Sequence, residues 1–127
     1  MQLNDITGAV VDEAIGIHRD LGGDLFESVY ETLLAAALEQ RGLHVDRQRP
    51  INFSYKNIHI ADGFRADLIV EDLVIVEIKS IDHLAPVHTK QILTYMRLAN
   101  LHVGLLLNFG AETMSKGIRR LVRDLPP

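Results

Sequence analysis

The stretch ADLIVEDLVIVEIKS, residues 66–80, sets Asp67, Glu77 and Lys79 into two apolar runs that otherwise read as paired strands. The loop between the runs decides which residues share a face. A loop of Glu71-Asp72 alone pairs Asp67 with Val76 and sends the two acids to opposite sides of the sheet. A loop of Glu71-Asp72-Leu73 reverses the parity. Asp67 then faces Glu77, Arg65 faces Lys79 and Ile69 faces Ile75, while Ala66, Leu68, Val70, Val74, Val76 and Ile78 share the other face. The second register leaves a wholly apolar face to bury, so the hydrophobic pattern selects it.

Two carboxylates facing each other across a ladder repel by roughly a few tenths to 1 kcal/mol. A hard divalent cation such as Mg²⁺ offsets that repulsion, because it takes oxygen ligands and commonly uses one or two carboxylates with water and substrate phosphate. Lys79 falls on the same face as Glu77, where its ammonium can sit beside a phosphate or the attacking water. The same spacing also fits a salt-bridged polar face made by Asp67, Glu77, Arg65 and Lys79.

Working outward, Ile6, Val10, Ala14 and Ile17 recur at a helical period over Leu3 to Leu21, and Gly22-Gly23 ends the pattern. A second helix is expected from Phe26 to Arg41, closed by Gly42. The texture then turns to alternating and β-branched residues. LHVDRQ, INFSY, IHI and FRADLIV read as successive antiparallel strands punctuated by Pro50, Lys56-Asn57 and Asp62-Gly63. LVIVEIKS is apolar enough for a central strand covered on both faces. A helix follows from Pro86 to Ala99, then the buried strand HVGLLLN, then a tail that can hold a short strand or a helical turn. A strand, helix and strand in succession imply a crossover that makes the last strand parallel to its partner, so the sheet is expected to be mixed.

The chain has 127 residues, which fits a single α/β (α+β) domain spanning 1–127. With no cysteine, neither disulfides nor thiolate metal sites can form, and the cytoplasm is the expected compartment. No leader or membrane-spanning segment is expected. A net charge of -4 argues against binding nucleic acid through a broad basic surface but leaves room for local basic concentrations. Such concentrations occur at Arg47 and Arg49 and at Lys116, Arg119, Arg120 and Arg123. His18, His44, His59, His83 and His102 show no metal-ligand spacing.

Asp67 followed by Glu77-Ile78-Lys79 resembles the D…ExK signature of the PD-(D/E)XK nuclease superfamily. LGGDLFESVYETLL resembles the segment that names the GxxExxY proteins within it, with Glu27 and Tyr30 in the expected places. HTKQILTYMRLANLHVGLLLNFG resembles the same family's helix and following strand. One departure is Asp24 where the naming glycine is expected, directly after Gly23; Asp is a good N-cap and can start helix two itself.

The resemblance implies a restriction-endonuclease-like core, a mixed β-sheet flanked by α-helices. It implies metal ligation of Mg²⁺ (or Mn²⁺) by Asp67 and Glu77, with the main-chain carbonyl of Ile78 as a third ligand. Lys79 would orient or activate the attacking water, Glu27 would be an extra helical acid, and Gln91 and Tyr95 would form a QxxxY element. Nucleic acid, DNA in particular, would be cleaved to 5′-phosphate and 3′-hydroxyl ends, with a homodimer as one way to enlarge the binding surface. On the residues themselves, His88, Gln91 and Tyr95 share one polar helical face. Tyr30 fits equally a core tyrosine whose hydroxyl finds a partner. The alternative function is a non-catalytic nucleic-acid- or protein-binding module that retains the nuclease fold.

Overall fold

The computed structural model describes residues 2–124. Helices α1 (Leu3–Leu21) and α2 (Glu27–Gln40) are followed by strands β1 (Val45–Tyr55), β2 (Ile58–Val70) and β3 (Val74–Lys79). Helix α3 (Pro86–Ala99) leads to β4 (Val103–Asn108), a 3-10 turn at Met114–Gly117 and β5 (Ile118–Val122). The five strands lie in the order β1-β2-β3-β4-β5. All neighbours are antiparallel except β3 and β4, which α3 joins as a parallel crossover. This is the mixed α/β sheet flanked by helices that the sequence leads one to expect.

Both faces of the sheet are buried, as the apolar density of β3 requires. Leu68, Val70, Val74, Val76 and Ile78 point into one core with Ile6, Val10, Ala14, Leu34 and Leu38 of α1 and α2. Ile69 and Ile75 point the other way, packing with Ile92 and Met96 of α3. Ala66, expected among the first group, packs into this second core instead. At roughly 1.5–3 kcal/mol for each fully buried aliphatic side chain, these two clusters set the strand register against any slip.

The four short strands read between Leu43 and Val70 are in fact two long ones. Pro50 does not break β1, because β1 is an edge strand and proline's missing N–H costs an edge no ladder bond. Asp62-Gly63 is not a turn but part of an irregularity: the pairing shifts between Ile51 and Phe53, and Asp62 takes φ 53° while its N–H donates to the Asn52 side chain at 2.9 Å. The real turn is Lys56-Asn57, where both residues have positive φ, as a two-residue hairpin of the favoured hand requires.

Helix α2 starts later than Asp24 would have set it. Its N-cap is Phe26, which makes no side-chain cap bond. The glycine that the preceding loop needs is Gly23, where an added Cβ would collide with the Phe109 carbonyl oxygen. Tyr30 then locks this loop from below. It is fully buried, stacks on Phe109 with ring centroids 4.2 Å apart, donates to the Gly22 carbonyl at 2.6 Å and accepts from the Leu25 N–H at 3.1 Å. Tyr30 is thus the core tyrosine with a satisfied hydroxyl. Among the described residues, no helix is long and apolar enough to cross a membrane.

Candidate active site

Strands β2 and β3 pair through Leu68↔Val76, Ile69↔Ile75 and Val70↔Val74, which makes the loop Glu71-Asp72-Leu73. Its left-handed residues Glu71 and Asp72 are held from outside: Glu71 exchanges bonds with the backbone of His44, and Asp72 pairs with Arg49. The same register carried one step further puts Asp67 opposite Glu77. There the backbone ladder stops and side chains take over. The Ile78 N–H donates to Asp67 Oδ2 at 2.8 Å, and the Asp67 N–H makes a longer bond of 3.4 Å to Glu77 Oε1. The β2–β3 pairing does not extend to Arg65, which pairs with Pro50 on the β1 side and reaches toward Asp62 at 3.7 Å.

The two acids therefore meet, and they meet without a cationic partner. Among the described residues, neither Asp67 nor Glu77 enters an ion pair within 4.0 Å, so the salt-bridged polar face does not form. Glu77 is 6% exposed. Burial first, and then the charge of Asp67, push its carboxyl from an ordinary 4.5 up to about 9, while the Lys79 ammonium pulls it down. A carboxyl held this far from its ordinary range beside another acid is an electrostatic debt that a divalent cation would remove.

Helix α3 closes the same face. Gln91 lies one turn before Tyr95 on the same helix. The Tyr95 hydroxyl is pushed above the usual tyrosine value by burial first, and by the charges of Glu77 and Asp67. The ring is fixed by stacking on Phe64 of β2 with centroids 4.0 Å apart. Lys79 ends β3, its carbonyl accepting from the Phe109 N–H at 2.8 Å. His88 is tied to the start of α3, its Nδ1 accepting from the Ala85 N–H.

Glu27 is placed differently. It is exposed on the first turn of α2, beside a loop that Ser80 ties to the end of β3 by donating to the Leu25 carbonyl at 2.7 Å. Among the described residues, no group of three or more His, Cys, Asp or Glu side chains is gathered closely enough to hold a metal ion, so Glu27 is not drawn into the Asp67–Glu77 pair. The Ile78 backbone contributes its N–H to Asp67.

One contact escaped the sequence reading. Gln48 of β1 donates to Asp67 Oδ1 at 3.2 Å and also to Glu31 of α2. The only signal in the sequence was arithmetic: once the β1–β2 hairpin is centred on Lys56-Asn57 with its irregularity, Gln48 falls opposite Asp67 between the pairs Arg47↔Leu68 and Arg49↔Ala66.

A family model described as the PD-(D/E)XK nuclease superfamily matches residues 4–121. Searches of curated proteins and of solved structures return no match.

Proposed function

Because the chain belongs to the PD-(D/E)XK nuclease superfamily, we propose that it hydrolyses phosphodiester bonds in nucleic acid, with DNA as substrate, using a divalent cation held by Asp67 and Glu77. The observation that carries this reading is the meeting of two carboxylates where the β2–β3 ladder ends, with no cation paired to either among the described residues.

The donor set fits Mg²⁺ or Mn²⁺, which are hard, oxygen-seeking ions content with one or two carboxylates when water and phosphate complete their shell. When bound, such an ion polarises the phosphate and lowers the pKa of its water. The protein's own groups supply the rest. Asp67 and Glu77 would hold the ion, with the Ile78 carbonyl proposed as a further oxygen ligand. Lys79, whose ammonium lowers the Glu77 pKa, would stabilise negative charge developing on the phosphate. Tyr95, held by stacking on Phe64, walls the acids on the α3 side, and Gln91, being exposed, is free to contact the substrate strand. Glu27 stands at the rim as the exposed acid of α2.

Labelled single- and double-stranded DNA and RNA incubated with the protein and Mg²⁺ or Mn²⁺ test the proposal. Cleavage is expected for the wild type and lost in Glu77→Ala and Lys79→Ala, with circular dichroism showing both variants folded. Cleavage that persists in both variants overturns it. Metal uptake without cleavage by the wild type favours the alternative, a binding module that keeps the fold.

A further inference from the structure

Gln48 occupies a peculiar place. It sits within an otherwise extended strand at φ 50°, in the left-handed region that residues with a side chain seldom adopt. By register it stands across from Asp67, as Glu77 does on the other flank, so Gln48, Asp67 and Glu77 form a row over three adjacent strands. Its carboxamide nitrogen lies within hydrogen-bond distance of two carboxylates, Glu31 Oε1 and Asp67 Oδ1. Both partners only accept, so both hydrogens of the NH₂ group are committed, one to each acid.

The far end of this bridge is anchored. Glu31 is 7% exposed, and its other oxygen, Oε2, accepts from Arg47 Nε at 3.2 Å and Nη2 at 3.0 Å. Arg47 is itself tied to Thr32 Oγ1 at 2.9 Å. Asp67 is thereby gripped on both oxygens, Oδ1 by Gln48 and Oδ2 by the Ile78 N–H. A carboxylate offers about four lone-pair positions, so two donors fix its plane and still leave each oxygen one position for a cation.

We propose that Gln48 is a positioning residue for the site: its amide, anchored on the buried Glu31 that Arg47 pairs from the solvent side, holds the Asp67 carboxylate in the orientation that receives the divalent cation. The helical acid that communicates with Asp67 is thus Glu31, one turn beyond Glu27. This rests on the metal-dependent reading above, and it acts through Asp67 rather than on substrate. Groups that orient a metal ligand typically change metal affinity by about 10–100-fold when removed.

The left-handed backbone supplies a clean test, because glycine adopts that conformation freely and Gln48→Gly deletes the amide without straining the strand. Mn²⁺ alone is titrated by calorimetry into the wild type, Asp67→Asn, Gln48→Gly, Gln48→Leu, Glu31→Gln and the double variant Gln48→Leu/Glu31→Gln, with melting midpoints followed in parallel. Wild type should bind and Asp67→Asn should not. Gln48→Gly should bind about 10–100-fold more weakly at a midpoint near that of wild type. The double variant should lose no more affinity than Gln48→Leu alone, the non-additivity expected of residues acting through one contact. Wild-type affinity in both Gln48 variants, with Asp67→Asn inactive, overturns the positioning role and leaves the metal reading standing. Affinity that falls only in variants whose midpoint falls also overturns it. A wild type that takes up no Mn²⁺ overturns both.

Discussion

Replacing Glu77 with glutamine should make the metal-free protein more stable, and by an amount that depends on pH. In the fold, burial and the Asp67 charge hold the Glu77 carboxyl up to about 9, against 4.5 for an ordinary glutamate. Between those values the unfolded chain has released its proton while the folded chain keeps it. The folded state then binds more protons, so stability falls as pH rises through this window and is least impaired below 4.5. The gap between pH 7 and 4.5, at about 1.4 kcal/mol per pH unit, is a penalty of about 3 kcal/mol at neutrality. Glutamine has nearly the same shape, carries no titrating proton and keeps a donor for Asp67. Glu77→Gln should therefore gain about 3 kcal/mol at pH 7, or roughly 10 °C in melting midpoint for a domain of this size. The gain should shrink to about zero near pH 4.5. Urea and thermal unfolding in chelator-treated buffer, run for both proteins from pH 4.5 to 8, measure it. A Glu77→Gln protein that is less stable than wild type at pH 7, or whose gain is the same at every pH, refutes the reasoning.

Other expectations concern single contacts. Lys79→Ala should reduce cleavage by about 10²–10³-fold, the usual cost of removing a charge-stabilising donor, with unfolding by urea nearly unchanged; a variant with wild-type turnover contradicts the role given to its ammonium. Tyr30→Phe leaves the Leu25 N–H and Gly22 carbonyl without their partner and should cost about 1–3 kcal/mol in urea unfolding. A neutral result would mean that the hydroxyl does not tie down the α1–α2 loop. Gly23→Ala drives a methyl group against the Phe109 carbonyl and should destabilise by about 1–3 kcal/mol, with refolding yield and melting midpoint as readouts. Saturating Mg²⁺ at about 100 times its dissociation constant should stabilise the wild type by about 2.7 kcal/mol, and Asp67→Asn should show no such gain in the same thermal scan.

Much of the site was legible in the chain because a strand has a period of two. Given the Val, Ile and Leu residues at 68, 70, 74, 76 and 78, only one loop parity buries them together, and that parity brings Asp67 and Glu77 to a common side. The helix ends were legible for a similarly local reason. Gly22 and Gly42 take the positive φ that closes a helix, and Pro86 fits a first turn that needs no N–H. The i, i+4 spacing of Gln91 and Tyr95 likewise needed only helical geometry to bring the pair together.

What the sequence could not decide depends on which strand lies at an edge and on where two distant segments meet. Pro50 and Asp62-Gly63 look like breaks in any single strand, yet an edge position tolerates the first and an irregular pairing absorbs the second. Because that pairing shift fixes the β1–β2 register, it also determines that Gln48 stands across from Asp67. Glu27 and Glu31 lie one turn apart on α2, and no local rule distinguishes them. Only the packing of α2 against β1 exposes the first and buries the second against Arg47 and Gln48. Chain-local periodicity thus determined the pair of acids, while their supporting hydrogen bonds, which join residues up to 19 positions apart, were decided by tertiary structure alone.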